Sequence, residues 1–560
     1  MVTRVINLFY REVRGLHQAA YVLALFALAS QILAVVRDRL LAHQFGAGPE
    51  LDMYYAAFRI PDLLYVLFAS VLSVYVLLPF VSRARTESEA AGREILSQML
   101  TFFLFSYGCI ALAALLSAPY LVALLFPGFP LDAQAHVVLL MRILLLQPFL
   151  LGLSSLLGVV TQIQHRFVIY ALSPVLYNVG IIIGAVVLYP RLGLPGLVYG
   201  VVLGALLHVI IQWPLVRSST LSFGVARRFN WTLLREIAFV AIPRAITLSL
   251  GQVHQLVLVS LASTMAVGSV AVLQFAYNLQ SVPLSIIGMS YSVAAFPTLA
   301  DLLANEKREE FNAYVLTALR HIMFWSFPII TLVIVLRAQI VRVLLGSGSF
   351  DWADTRLTAA VMGIFVISLL AQSILLLLVR AFYAGGHTKL PLLLTLFGSV
   401  VGSVVAYVMY LWFLEAPALQ SFFATLMRLD SVKGSEVLML PIGFTVGMLV
   451  QVVIMLMVMS RTFAMSFVGM GRHFMVSLAA SLAGGAVAYF TLAFVVAGVN
   501  QDRFVGILLQ GVAGGVFGLV GTVVTYRLLG SPELHEIYQS LRSRLFKSDV
   551  VAPQPQLEIL

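Results

Sequence analysis

Charge is what this sequence has least of. Only 10% of its 560 residues are Asp, Glu, Lys or Arg, against roughly 25% in soluble globular domains, so a soluble core could not be covered by its own polar surface. Cysteine is nearly absent. Cys109 is the single one and sits inside an apolar run, which excludes disulfides and cysteine-based metal sites. Nothing resembles Walker A, a zinc motif, a nucleophile elbow or a dedicated carboxylate dyad, so the chain does not read as an enzyme of a known soluble type. The opening stretch MVTRVINLFYREVRG also lacks the apolar h-region and small-residue cleavage site of a signal peptide. Its Arg4, Arg11 and Arg14 among Val5, Ile6, Leu8 and Phe9 read instead as an interfacial amphipathic segment over residues 1–16.

What the chain has is apolar length. Of its residues 61% are hydrophobic, and apolar runs of about 20 residues, each enough to cross ~30 Å of hydrocarbon, recur from end to end. The reading is an all-α polytopic membrane protein with about 14 transmembrane helices. Spans are expected near 17–40, 53–82, 96–125, 136–163, 168–189, 194–216, 237–264, 269–299, 312–345, 357–383, 390–414, 437–460, 473–498 and 505–529.

With the N-terminus inside, 20 Lys and Arg fall in cytoplasmic segments and 5 in outer ones. That asymmetry places both termini in the cytoplasm. The net charge of +10 is therefore a topology signal and a contact for anionic membrane lipid, and no nucleic acid is implied. The longest outer connection, 415–436, spaces Phe422, Phe423, Leu426, Met427 and Leu429 roughly as a helix would, and reads as an interfacial helix or a mobile loop.

Two stretches match in order at an offset near 220 residues. Ala57-Phe58-Arg59 with Pro61 parallels Ala276-Tyr277-Asn278 with Pro283. Leu125-Phe126-Pro127-Gly128-Phe129 with Asp132 parallels Leu345-Gly346-Ser347-Gly348-Ser349-Phe350 with Asp351, and Pro174 parallels Pro391. An even number of helices separates the copies, so they share one orientation. Repeats of this sort build transporters whose site lies between the halves near mid-membrane.

A charge inside the bilayer must face protein or a hydrated cavity. Arg37-Asp38-Arg39 lies near the outer end of the first helix, where Arg37 and Asp38 can neutralise one another. Arg59 and Asp62 stand three apart around Pro61, one face and potentially one pair. These two helices are read as lining a polar cavity, where an arginine fork suits phosphate. Arg142, Arg320, His321, Arg337, Arg342 and Arg380 lie near span ends and can snorkel to headgroups. His254 reads either as a proton relay or as a hydrogen-bonded packing histidine.

Arg37-Asp38, Phe45-Gly46-Ala47-Gly48, Asp52 and Ala57-Phe58-Arg59-Ile60-Pro61-Asp62-Leu63-Leu64 closely resemble the opening of the MurJ (MviN) family. So do Gly268-Ser269-Val270 with Pro283, Gly288 and Phe296-Pro297, and Phe350-Asp351 with Phe382-Tyr383-Ala384. That family belongs to the multidrug/oligosaccharidyl-lipid/polysaccharide exporter superfamily. The resemblance implies a transporter in the bacterial inner membrane that flips lipid II, an undecaprenyl-pyrophosphate-linked precursor, in peptidoglycan biosynthesis and cell shape. It implies an N-lobe over 17–217, a linker over 218–236, a C-lobe over 237–460, two further helices over 461–530 forming a lipid-facing groove, and a cytoplasmic tail over 531–560. Coupling to membrane potential or an ion gradient, with no cofactor, and cell-wall synthesis proteins as partners are also implied.

Carried over residue by residue, the substrate site comprises Arg37, Asp38 and Asp52, with Arg59 as a basic match. Asp62 joins them from its helix face. Gln31, Tyr65 and Asn278 stand where the family generally has further cavity arginines, Tyr277 stands for an acidic residue, and Ser70-Val71 replaces a Glu-Gly pair. The eleventh and twelfth spans hold no carboxylate for a sodium site of the kind some relatives have. A cavity with fewer positive charges leaves two other readings open: a flippase of another polyprenyl-linked glycan or amphiphile, and a non-transporting membrane scaffold.

Overall fold

A computed structural model describes residues 16–546 apart from 227, 431, 497 and 500–502. The segment expected at the interface over 1–16 lies, but for Leu16, outside the described residues, as does the tail beyond Phe546. Twelve described helices are long and apolar enough to cross a membrane, and a thirteenth span is formed by Trp352–Ile367 and Leu369–Ala384, bent by 43°. The helix Leu16–Phe45, 30 residues with no Lys, Arg, Asp or Glu before Arg37, completes the fourteen that the sequence implies.

In chain order these are α1 (Leu16–Phe45), α2 (Pro49–Glu87), α3 (Glu89–Leu125), α4 (Leu131–Ile163), α5 (Phe167–Leu192), α6 (Leu194–Arg217) and α7 (Trp231–Ser263). Then come α8 (Ser269–Ala304), α9 (Arg308–Leu344), the bent pair α10, α11 (Lys389–Glu415), α12 (Ser435–Phe463), α13 (Met470–Val495) and α14 (Phe504–Leu528). A tail helix, α15, covers Pro532–Phe546. The 415–436 connection does form a helix, Pro417–Met427, with no buried residue, ended by Arg428 in the left-handed conformation at φ 60°.

Prolines decide where the spans break. Pro61 has no N–H to give the Ala57 carbonyl and its ring crowds that oxygen, so α2 steps at Phe58. Pro148 stands in the same relation to Leu144, and α4 steps at Leu145. Beyond Pro283 the backbone of α8 widens into a π turn, Ser285–Met289. Small residues decide where helices touch. A Cβ on Gly180 would lie 2.3 Å from Gly204 Cα, fixing α5 on α6, and one on Gly443 would lie 2.5 Å from Ala406 Cα, fixing α12 on α11. With no hydrophobic drive inside lipid, such backbone approach is what holds spans together.

The chain condenses into two compact units. The first holds residues 1–280, 341–368 and 386–455; the second holds 281–340, 369–385 and 456 onward. In the second, Tyr526 of α14 stacks on Phe324 of α9 at 4.4 Å and donates to its carbonyl at 2.9 Å. The tail helix α15 closes onto the same place: Glu533 meets His473 at 2.6 Å and Glu536 meets His321 at 3.1 Å. His321, expected to reach headgroups, is thus held within the protein.

Within the first unit the loops after α1, α3, α7 and α9 interlock. Gly46, at φ +61°, backs onto the Ser349 carbonyl, where a Cβ would come within 2.7 Å; Gly348 backs likewise onto His43, and Gly128 onto Ser263. Gly268, at φ +92°, backs onto the Ala47 carbonyl, 2.1 Å from where its Cβ would stand. Ser349 N–H donates to His43 O at 2.9 Å, Ala47 N–H to Asp354 Oδ2 at 3.1 Å, and Ala266 N–H to Glu436 Oε1 at 3.0 Å. Arg39 donates to the Val343 carbonyl. Arg342, also expected at headgroups, donates to Phe350 O at 3.0 Å and lies over the Trp352 ring.

Candidate functional site

One cavity of about 190 Å³ opens inside the first unit, between α1, α2, α5 and α8. Its polar wall is a continuous chain of side chains. Arg37 on α1 turns Nε and Nη2 onto Asp38 Oδ1 at 2.9 and 2.8 Å, and Nη1 onto Asn178 Oδ1 at 3.1 Å. The Asn178 amide in turn donates to Ser30 Oγ at 3.2 Å and to Pro174 O at 3.2 Å. On the other side Asp38 Oδ2 accepts from Asn278 Nδ2 at 3.0 Å, and Asn278 Oδ1 accepts from Gln274 Nε2 at 2.7 Å. Gln274 Oε1 accepts from Arg59 Nη2 at 2.6 Å, while Arg59 Nε donates to the Tyr55 carbonyl at 3.2 Å.

Local sequence explains the placement. Gln274 and Asn278 are one turn apart on α8 and so share a face. The step at Phe58 starts a fresh helix at Arg59, which puts its guanidinium beside the previous turn's Tyr55 carbonyl. Arg59 and Asp62 both follow that step in one helix segment and interact electrostatically, yet they form no direct ion pair, contrary to the pairing their spacing suggests. The Arg59 guanidinium is turned instead onto Tyr55 O and Gln274 Oε1. Asp62 lies in the first turn of the same helix segment, where the positive end of the helix dipole favours a carboxylate, and it bonds the Gln147 side chain. Arg59 and Asp62 both line the cavity.

Arg37, Arg59, Asp62 and Asn278 therefore line one space, and Asp38 joins them from behind through Arg37 and Asn278. Asp52 is elsewhere. It is 4% exposed and accepts Gly268 N–H at 2.6 Å and Ala271 N–H at 2.8 Å, capping the start of α8 beside the interlocked loops. Neither Gln31 nor Tyr65 is among the lining residues. Asn178 and Gln274 were missed from sequence alone, as were Tyr54, Tyr55 and Tyr177, whose rings form much of the remaining wall. A polar residue one turn from Pro174 and another one turn from Asn278 were the available signals.

Chemically the wall is balanced, with two arginines against two aspartates. Arg37 has three nitrogens already engaged. Arg59 is 7% exposed yet holds only neutral oxygens by hydrogen bonds, and the Tyr55 hydroxyl has no protein partner. These two groups, with the Arg37 N–H bonds not taken by Asp38 and Asn178, are donors that the cavity offers a ligand, flanked by aromatic faces.

A family model described as Lipid II flippase MurJ matches residues 41–500. The chain belongs to the MurJ family. A probable lipid II flippase MurJ of Rhizobium tropici is 26% identical over 393 residues, covering 68% of this chain and 73% of that protein. The lipid II flippase MurJ of Burkholderia cenocepacia is 22% identical over 403 residues, covering 70% and 78%. Among solved structures, a lipid II flippase MurJ in an inward closed conformation superposes with a TM-score of 0.70 at 20% identity, over 90% of this chain and 99% of that one. An inward-facing multidrug resistance MATE transporter of the MOP superfamily gives 0.65 at 14% identity, over 78% and 94%. The MurJ fold, a multi-pass protein of a bacterial inner-membrane family, and a transporter rather than an enzyme are thereby established.

Proposed function

We propose that this MurJ-family chain flips lipid II, the undecaprenyl-pyrophosphate-linked peptidoglycan precursor, from the inner to the outer leaflet by alternating access. The observation that carries the reading is the relay from Asn178 through Arg37, Asp38, Asn278 and Gln274 to Arg59. It surrounds a space within the spans of a family whose relatives are named for this cargo. Buried charges wired through neutral amides form a preorganised anion site, because the arginines need no rearrangement to meet a phosphate.

In this reading both termini are cytoplasmic, and residues 17–217 and 237–460 act as the two lobes. The interlocked loops around Gly46 and Gly268 seal the outer side while the cavity faces inward, and Asp52 fastens that seal. Helices 461–530 carry the lipid tail, and a membrane potential or an ion gradient drives the cycle. The balanced charge of the wall favours one second reading, another polyprenyl-linked glycan or amphiphile with a less negative head group.

The deciding experiment is complementation of a conditional MurJ depletion strain, with transport of labelled lipid II in proteoliposomes alongside. Growth with normal cell shape and lipid II transport are expected. A well-folded protein that transports a polyprenyl-linked glycan other than lipid II, and does not complement, would establish the second reading instead.

A further inference from the structure

Two pairs of opposite charges stand around the cavity, and they are built differently. Arg37 and Asp38 bond one another directly, at 2.9 and 2.8 Å, so each already has its countercharge. Arg59 and Asp62 line the same space, yet each is held by neutral groups. Arg59 donates to the Gln274 amide oxygen and to the Tyr55 carbonyl, while the Asp62 carboxylate accepts from the side chain of Gln147 on α4.

The Asp62 corner is short of donors. A carboxylate has about four lone-pair sites, and Gln147 fills one of them. Gln147 is 3% exposed, and its own amide oxygen is buried without a partner among the described residues. Two acceptors thus sit together beside the space, with a single N–H between them. On the Arg59 side the balance is reversed. Tyr55 is 7% exposed, lines the cavity, and has a hydroxyl with no partner among the described residues. One end of the wall offers donors to an anion, and the other offers acceptors to a cation.

The rings around Asp62 say which cation. Asp62 N–H donates to the Phe58 carbonyl at 2.8 Å, so Phe58 stands one turn away on the same side of the helix. Tyr54 meets Phe58 edge to face at 4.8 Å, and Asp62 interacts electrostatically with both Tyr54 and Tyr177. All three rings line the cavity. Aromatic faces attract an ammonium within ~6 Å, and an ammonium brings three donors and no acceptor. A divalent metal would want about six oxygens, far more than this corner supplies. At about 190 Å³ the space is smaller than the ~300–1,000 Å³ of drug-sized sites. It suits one small bipolar group and has no room for a whole glycan.

We propose that Asp62 seats a primary ammonium of the transported head group while Arg59 and the Tyr55 hydroxyl hold its phosphate. The cavity then receives a phosphate and an amine together. Holding Arg59 and Asp62 apart keeps both ends open, since a direct pair would spend each on the other. The identity of the amine rests on the flippase reading, in which it belongs to the peptide of lipid II. The existence of the subsite does not rest on that reading. The alternative is that Arg59 and Asp62 merely neutralise one another across the space, and an amine on the ligand would then add nothing.

Titration of the full chain in lipid nanodiscs separates the two. The probes are aminoethyl phosphate and its N-acetylated form, which keeps the phosphate and removes the positive charge. Wild type is expected to bind the amine about tenfold more tightly, the worth of one charge-assisted contact, and D62N to bind the two alike. Equal binding by wild type, or no binding of either probe, would overturn the subsite. A preference that survives in D62N would overturn its assignment to Asp62. The wild-type comparison uses no variant, so it stands whether or not D62N folds.

Transport in proteoliposomes ties the subsite to cargo. Wild type is expected to move lipid II with a free peptide amine severalfold faster than lipid II with that amine acetylated, and equal rates would overturn a part for Asp62 in choosing cargo. If wild type moves neither, the flippase reading fails, and the titration with the soluble probes still decides the subsite.

Discussion

Arg37 and Asp38 should behave as a unit whose halves cannot be removed singly. Asp38 is 7% exposed, and its two oxygens accept only from Arg37 and Asn278. In Arg37→Ala the carboxylate keeps one neutral amide and loses its countercharge. Breaking a buried pair by removing one partner costs ~3–5 kcal/mol. The Arg37 side chain retains 21% exposure, which lets water reach the pair and places the cost near the lower end, about 3 kcal/mol. Arg37→Leu with Asp38→Leu removes both charges and keeps volume, so it should restore most of that loss, since such replacements are often neutral or stabilising.

Transport separates the two roles. The double variant should be as stable as wild type and yet lose head-group binding by roughly tenfold to a hundredfold, as expected if a charge-assisted contact worth ~1.5–3 kcal/mol disappears. Thermal unfolding in nanodiscs and binding of a labelled lipid-linked precursor are the two assays. A double variant as unstable as Arg37→Ala alone would refute the pairing, and one that binds normally would make Arg37 purely structural.

Arg59→Lys keeps the charge and loses the fork that spans Tyr55 and Gln274, so precursor binding should weaken several-fold with the fold intact. Asn278→Arg places a new cation against Asp38 and should tighten binding of a pyrophosphate probe about tenfold, read by titration. Asp52→Asn gives up a charge-assisted cap on α8, worth ~1.5 kcal/mol, so amide exchange at Gly268 and Ala271 should speed up about tenfold. Gly180→Ala drives a methyl into Gly204 and should cost ~1–3 kcal/mol in unfolding measurements. Glu533→Gln should loosen α15, and limited trypsin digestion should cut the tail after Arg542 several-fold faster.

The spans were legible because hydrocarbon thickness sets their length, whereas the step at Leu145 was not read, although Pro148 produces it as Pro61 produces the step at Phe58. The site was legible only in part. Arg37, Asp38, Arg59, Asp62 and Asn278 announce themselves as polar groups in apolar runs. Asp52 announces itself equally, yet it caps a helix that begins 216 positions later in the chain at Gly268, and nothing near Asp52 in sequence says which helix will dock there. Asn178 and Gln274 escaped notice for the same reason: their meaning lies in partners from other helices. The spacing of Arg59 and Asp62 suggested an ion pair because it cannot show the competing acceptors, Tyr55 O and Gln274 Oε1, that take the Arg59 guanidinium.

The interlocked loops meet through main-chain oxygens and glycines, and the side chains that join them, Arg39, Asp52, Arg342, Asp354 and Glu436, all hold main-chain groups. A surface of that kind carries little information about what is transported. A single-residue change such as Asn278→Arg can therefore alter the charge of the cavity without touching these loops. The chemistry of the cavity and the fastening of the loops thus rest on separate sets of residues.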